Sequence, residues 1–196
     1  MKKIEIAFAA ALAICVVASA AQLPFSRNCE EIRGDTLRLH IVANSDSDED
    51  QNIKLAVRDE ILKNSEALLT GADGKDSAVK LVSEHIADIE AIAKDVLEQS
   101  GFDYGVTVYI TEMFFEQRVY ENITLPAGYY TALRVELGEA AGHNWWCVVY
   151  PTLCVPSASE EGMDEYSDEE KEIILDEDDK YVIKFKIEEW FQKLFK

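Results

Sequence analysis

Thr36-Leu37-Arg38-Leu39-His40-Ile41-Val42-Ala43, running straight into Asn44-Ser45-Asp46-Ser47-Asp48-Glu49-Asp50, decides how the rest of the chain is read. In the first half, Leu37, Leu39 and Ile41 alternate with Arg38, His40 and Val42, which is the period of a strand. In the second half the polar run ends the strand, and Ser47 with Asp50 three residues on has the spacing of a helix N-terminal capping pair. Acidic residues suit that end of a helix dipole. Ile53, Val57, Ile61 and Leu68 then mark the buried face of a helix of about 20 residues, which the Gly71–Gly74 stretch breaks. One strand followed at once by an amphipathic helix excludes an all-β or all-helical chain.

Further along, Val79, Val82, Ile86, Ile89, Ala93 and Val96 recur at three- and four-residue intervals and predict a second helix from about Asp76 to Gln99. After Ser100-Gly101 the period changes to two. Val106, Val108 and Ile110 form one strand, Phe115, Gln117 and Val119 a second, and Tyr129, Thr131, Leu133, Val135 and Leu137 a third. Leu125-Pro126-Ala127-Gly128 is a turn, and the loop Gly138–Gly142 leads into Asn144-Trp145-Trp146-Cys147-Val148-Val149-Tyr150. Short connections predict that the last three strands are antiparallel neighbours. The expected fold class is α+β: an N-terminal strand, two amphipathic helices, a mostly antiparallel sheet and a C-terminal strand-helix tail.

The ends of the chain have other compositions. Lys2 and Lys3 precede an apolar or small run from Ile6 to Ala21, with Ala18-Ser19-Ala20 as a small-residue cleavage site. Residues 1–21 are read as an export signal cut between Ala20 and Ala21, with an uncleaved anchor as the rival. The run is shorter than the roughly 20 residues of a full membrane span and is rich in Ala rather than Leu. Residues 22–35 form a lead without periodicity, and residues 22–156 are taken as one domain. Residues 157–180 are dominated by acids and read as a solvated spacer, with one short helix around Asp168 to Leu175. In the last segment, 181–196, Tyr181, Ile183, Phe185 and Ile187 alternate as a strand. Ile187, Trp190, Phe191, Leu194 and Phe195 then fit one helical face flanked by Lys184, Lys186, Lys193 and Lys196. Membrane contact is expected only through the N-terminal segment or this C-terminal helix.

The chain has 196 residues, 38 of them acidic and 19 basic, for a net charge of −19. That charge argues against nucleic acid as a partner, which requires a basic footprint. Export would remove Cys15 and leave Cys29, Cys147 and Cys154. Outside the cytoplasm, Cys147 and Cys154 are candidates for a disulfide, because Pro151 between them favours a turn; two buried reduced thiols are the other reading.

The search for chemistry returns little. Cys147 as the nucleophile of a cell-wall thiol hydrolase would need a base, and His143 lies four residues away, roughly 13 Å along a strand. Asp46, Asp48 and Asp50 alternate like the opening of a calcium loop, but Gln51 and Val57 stand where Gly and Glu belong. The three histidines do not cluster with cysteines as a zinc site would demand, and no phosphate-binding loop or nucleophile elbow is present. Asn122-Ile123-Thr124 is an isolated sequon. Arg58-Asp59 and Arg134-Val135-Glu136 read as surface salt bridges. No cofactor is expected. Trp145 and Trp146 are adjacent, so on a strand one indole enters the core and the other faces outward, where Trp is common at binding surfaces.

Two segments together resemble the stage II sporulation protein R family. The first is Leu37 through Asp46, continuing with Asp50-Gln51, Lys54 and Val57-Arg58-Asp59. The second is Pro126-Ala127-Gly128-Tyr129, Leu133-Arg134-Val135, Gly142, and Asn144-Trp145-Trp146-Cys147 through Pro151 and Cys154. The resemblance covers residues 35–155. It implies a signal and not an enzyme: a protein made in the forespore and exported toward the space between forespore and mother-cell membranes. There it would trigger a membrane-embedded aspartic protease that processes the precursor of sigma-E. On this reading the candidate partner-binding residues are Asn44, Asp46, Arg58, Trp145 and Trp146, at the extracytoplasmic face of the protease.

Overall fold

The structure is a computed structural model that describes residues 2–120, 123–152, 162–176 and 180–194. Its elements, in chain order, are α1 (Lys2–Asp35), β1 (Leu37–Val42), α2 (Asp48–Leu68), α3 (Lys75–Glu84), α4 (Ile86–Gln99), β2 (Val106–Phe115), β3 (Arg118–Tyr120), β4 (Ile123–Leu125), β5 (Gly128–Leu137), β6 (Asn144–Tyr150), α5 (Asp168–Leu175) and α6 (Val182–Leu194). Helices and a mixed sheet make the fold α+β. The chain divides into two units: Gly34–Phe115 with Tyr129–Ser167, and Met1–Arg33 with Glu116–Gly128 and Asp168–Lys196.

In the first unit, which we call the sheet unit, three helices cover one face of a four-stranded sheet of order β2-β5-β1-β6. β1 is buried along its whole length and takes a central place. It runs parallel to β5 and antiparallel to β6. β1 therefore separates the two strands that short-loop reasoning placed side by side, and the loop between β5 and β6 arches over its end. The arch is held by backbone bonds from Gly142 N–H to the Ala43 carbonyl, 2.9 Å, and from Ala141 N–H to the Asn44 carbonyl, 3.1 Å. Leu37, Leu39 and Ile41 of β1, Leu133, Val135 and Leu137 of β5, and Cys147 and Val149 of β6 meet Ile53, Val57 and Ile61 of α2 and Ile89, Ala93 and Leu97 of α4 in one core.

Ser47 caps α2 as its spacing predicts: its backbone is extended, and its hydroxyl accepts from the Asp50 N–H at 3.1 Å. The predicted second helix is instead two, α3 and α4, broken at His85. The His85 ring Nδ1 lies 2.8 Å from the Leu81 carbonyl, and its own N–H bonds to the Val82 carbonyl. The side chain thus takes the acceptor that a continuous helix would have used. β2 runs unbroken to Phe115, past the end expected for it.

In the second unit, the helical unit, α1 replaces the aperiodic lead expected over residues 22–35 and contains Pro24. Phe25 stacks on Tyr181 with ring centroids 5.4 Å apart and meets Phe185 edge-on at 5.1 Å. Ser26 Oγ donates to Glu188 at 2.6 Å, and buried Arg33 donates to Glu188 at 3.2 Å and to the Ala127 carbonyl at 3.0 Å. The β3–β4 pair is an antiparallel hairpin, and Asn122 of the sequon lies outside the described residues. The strand expected at 181–187 is part of α6, because Tyr181, Phe185 and Glu188 fall on one buried helical face. Within the acidic segment, α5 forms where a short helix was expected. Ile173 and Ile174 are buried, so this part is not a solvated spacer; residues 157–161 and 177–179 of that segment lie outside the described residues. Among the described residues, no helix is long and apolar enough to cross a membrane.

Candidate partner-binding surface

Sheet register assembles the surface. β1 sets His40 opposite Arg134 of β5 on one side and opposite Trp146 of β6 on the other. Adjacent residues of a strand point to opposite faces, so Trp145 and Trp146 part company at the start of the edge strand β6. Trp145 turns to the helix side and packs against the core, under the Arg58 guanidinium, 4.3 Å from its ring centroid. Arg58 is also paired with Asp59. Trp146 turns to the other face, where its ring lies flat on the His40 imidazole, 4.0 Å away at an interplanar angle of 4°, and edge-on to Phe115. Both indoles are half-buried, so neither is the bare outward Trp that alternation alone suggests.

The face opposite the helices carries a polar row across the sheet. Tyr109 OH donates to Glu136 at 3.0 Å, and Arg134 Nε donates to the same oxygen at 2.7 Å. Arg134 Nη1 lies 3.4 Å from His40 Nδ1, and His40 Nε2 lies 2.6 Å from Asn144 Oδ1. A guanidinium only donates, so His40 Nδ1 accepts, and the ring proton sits on Nε2, donating to Asn144. Burial pushes the imidazole down to about 4; Arg134 adds to that and the Asn144 bond opposes it. At neutral pH the ring is uncharged. Beside this row, Arg38 is fully buried, with its guanidinium 4.4 Å from the Phe115 centroid and 5.0 Å from that of Tyr130, and it donates to the Cys147 carbonyl.

Asn44 and Asp46 sit at the end of β1, where they hold loops. Asn44 donates to Asp50 at 2.8 Å and accepts from the Glu139 N–H at 2.9 Å. Ser45 and Tyr104 also donate to Asp50. Burial works to raise that carboxyl, but these bonds outweigh it and hold it below the usual carboxylate value. Exposed Asp46 accepts from both the backbone N–H and Nδ1 of His143. Buried Lys54 donates to the His143 carbonyl at 2.9 Å.

Four of the five candidate residues thus gather at the N-terminal half of β6. Asp46 lies at its end, Arg58 and Trp145 on the helix side, and Trp146 on the open face; Asn44 belongs to the loop clamp behind. Arg134, Glu136, Tyr109 and Asn144 complete the surface, with buried His40 and Arg38 packed among them. Alternation in the sequence marks Arg38, His40 and Tyr109 as the polar side of their strands, and Arg134 with Glu136, expected as a surface salt bridge, does form an ion pair. Cys147 is buried and disulfide-bonded, so its sulfur is not free to serve as the nucleophile of a thiol hydrolase. Cys154 lies outside the described residues. Cys29 is buried as a free thiol, and burial, with Glu188 nearby, pushes it up to about 12. Among the described residues, no cluster of His, Cys, Asp and Glu is arranged to hold a metal ion.

A family model described as stage II sporulation protein R matches residues 33–160. Stage II sporulation protein R of Bacillus subtilis (strain 168) is 31% identical over 186 residues, which cover 84% of this chain and 83% of that protein. No solved structure matches.

Proposed function

The chain belongs to the stage II sporulation protein R family, and on that footing we propose that it is an exported signal that activates a membrane-embedded aspartic protease of the mother cell. The consequence is proteolytic activation of sigma-E. The observation that carries the reading is the match over residues 33–160, which spans the whole surface around β6. Two indoles and two guanidiniums, Trp145 under Arg58 and Trp146 separated from Arg134 by His40, have the composition of an interaction hot spot. An activator of this kind works by binding the active state of the protease more tightly than the inactive one. In this reading the protein acts in the space between the forespore and mother-cell membranes, reached through residues 1–21.

The test is co-expression with the protease and the sigma-E precursor in a non-sporulating host, with and without residues 1–21. Precursor cleavage is expected with the wild type, and Arg58→Ala, Arg134→Ala and Trp146→Ala should each slow it about tenfold or more. Thermal melts check that the variants stay folded. Absence of cleavage with the wild type would overturn the function, and full cleavage with all three folded variants would overturn the surface.

A further inference from the structure

The C-terminal helix is apolar on two faces. Its buried face is Tyr181, Phe185 and Glu188, the last held by Arg33. Its outward face is apolar: Ile183 is 75% exposed, Trp190 59% and Leu194 55%, with Ile187 and Phe191 also exposed. At 3.6 residues per turn these five fall in one stripe. Lys186 and Lys193 flank it on one side and Lys184 on the other. A globular helix puts its apolar stripe inward and its charges outward; here a second apolar stripe is left exposed.

Two further observations say what covers it. The first is continuity. Ile187 and Phe191 line a cleft of about 540 Å³ with Leu23 of α1, and α1 exposes Ile4, Ile6, Phe8, Leu12, Val16 and Val17 around its N-terminal half. The helical unit thus presents two adjoining apolar segments without a protein cover among the described residues. The second is charge. The chain carries −19 overall, yet its last 17 residues hold five lysines against two glutamates; Glu188 is buried against Arg33, and Glu189 is shared by Lys186 and Lys193, the latter also reaching Glu116. A second copy laid symmetrically on the stripe would set these lysines against their own equivalents. An anionic bilayer would meet them favourably, and Trp190 suits the headgroup boundary.

We infer that α6 docks in the interface of an anionic lipid bilayer, with Ile183, Ile187, Trp190, Phe191 and Leu194 at the acyl boundary and the flanking lysines among the headgroups. The inference does not rest on protease activation, and α6 lies outside the region of the family match.

The test uses the full chain and vesicles of equal parts phosphatidylglycerol and acyl-brominated phosphatidylcholine, which quench only tryptophans that reach the acyl boundary. Quenching is expected for the wild type, absent in Trp190→Phe, and reduced severalfold in Ile183→Asp, whose exposed site makes unfolding no explanation. It should fall likewise when phosphatidylglycerol is replaced by neutral lipid. Quenching that persists in Trp190→Phe, or no quenching at all, would overturn docking by α6. Equal quenching on neutral and anionic vesicles would overturn the role of the lysines.

Discussion

His40 shows how one side chain couples the sheet face to pH. Its imidazole is 2% exposed, lies flat under Trp146 and is titrated down to about 4 from 6.5. Between those values the unfolded chain binds a proton that the folded chain does not. Stability is therefore complete above pH 6.5 and lost as pH falls toward 4, by about 3 kcal/mol in all. Urea melts at pH 7 and pH 5 should show about 2 kcal/mol of this loss in the wild type and not in His40→Gln; equal losses in the two proteins would remove His40 as the cause. Gly142 is the opposite case, a residue defined by what it lacks. A Cβ there would stand 2.1 Å from the Ser45 carbonyl oxygen, part of the main chain and unable to swing aside. Gly142→Ala should cost about 1–3 kcal/mol, read as a lower urea midpoint with the m-value unchanged. At this scale, sequence already separates the apolar half of β1 from Arg38 and His40. The row from Tyr109 to Asn144 is invisible there, because it exists only once four strands lie in register.

Elements are legible where local signals agree and illegible where they compete. Strand β1, the Ser47 cap and α2 are read correctly because period, cap and breaker coincide. The break at His85 leaves no mark on the apolar spacing, since Val82, Ile86 and Ile89 keep the helical interval across it. α6 is misread at its start because Tyr181, Ile183, Phe185 and Ile187 alternate by chance, with the odd members divided between the buried face and the outward stripe. The Arg33–Glu188 pair, both groups nearly out of solvent, ties α6 to α1 beside the Phe25 ring contacts. Breaking a buried pair from one side leaves a charge without its partner and typically costs about 3–5 kcal/mol. Glu188→Ala should release α6 to early proteolysis, whereas Arg33→Met with Glu188→Met should restore much of its protection. Equal protease sensitivity of Glu188→Ala and wild type would remove the pair as the tie.

Chain order hides the two units from any linear reading. The sheet unit and the helical unit each take segments from distant parts of the sequence, so composition shifts at 156 and 180 do not mark their limits. The N-terminus is the exception. Every side chain described between residues 3 and 20 is exposed, and burial begins at Gln22, which donates to the Lys184 carbonyl, followed by Phe25, Cys29 and Ile32. The point where α1 starts to pack coincides with the Ala20–Ala21 bond that the small-residue pattern marks for cleavage. A chain starting at Ala21 should therefore unfold in urea at the same midpoint as the full chain, because every described side chain among the residues removed is exposed. A chain starting at Leu37 loses Phe25, Cys29, Ile32 and Arg33 from the helical unit. Its α6 should become protease-sensitive, while the sheet unit keeps its own core of β1, β5, β6, α2 and α4. A lowered midpoint for the Ala21 chain would mean that residues 1–20 stabilise the protein by some route other than burial.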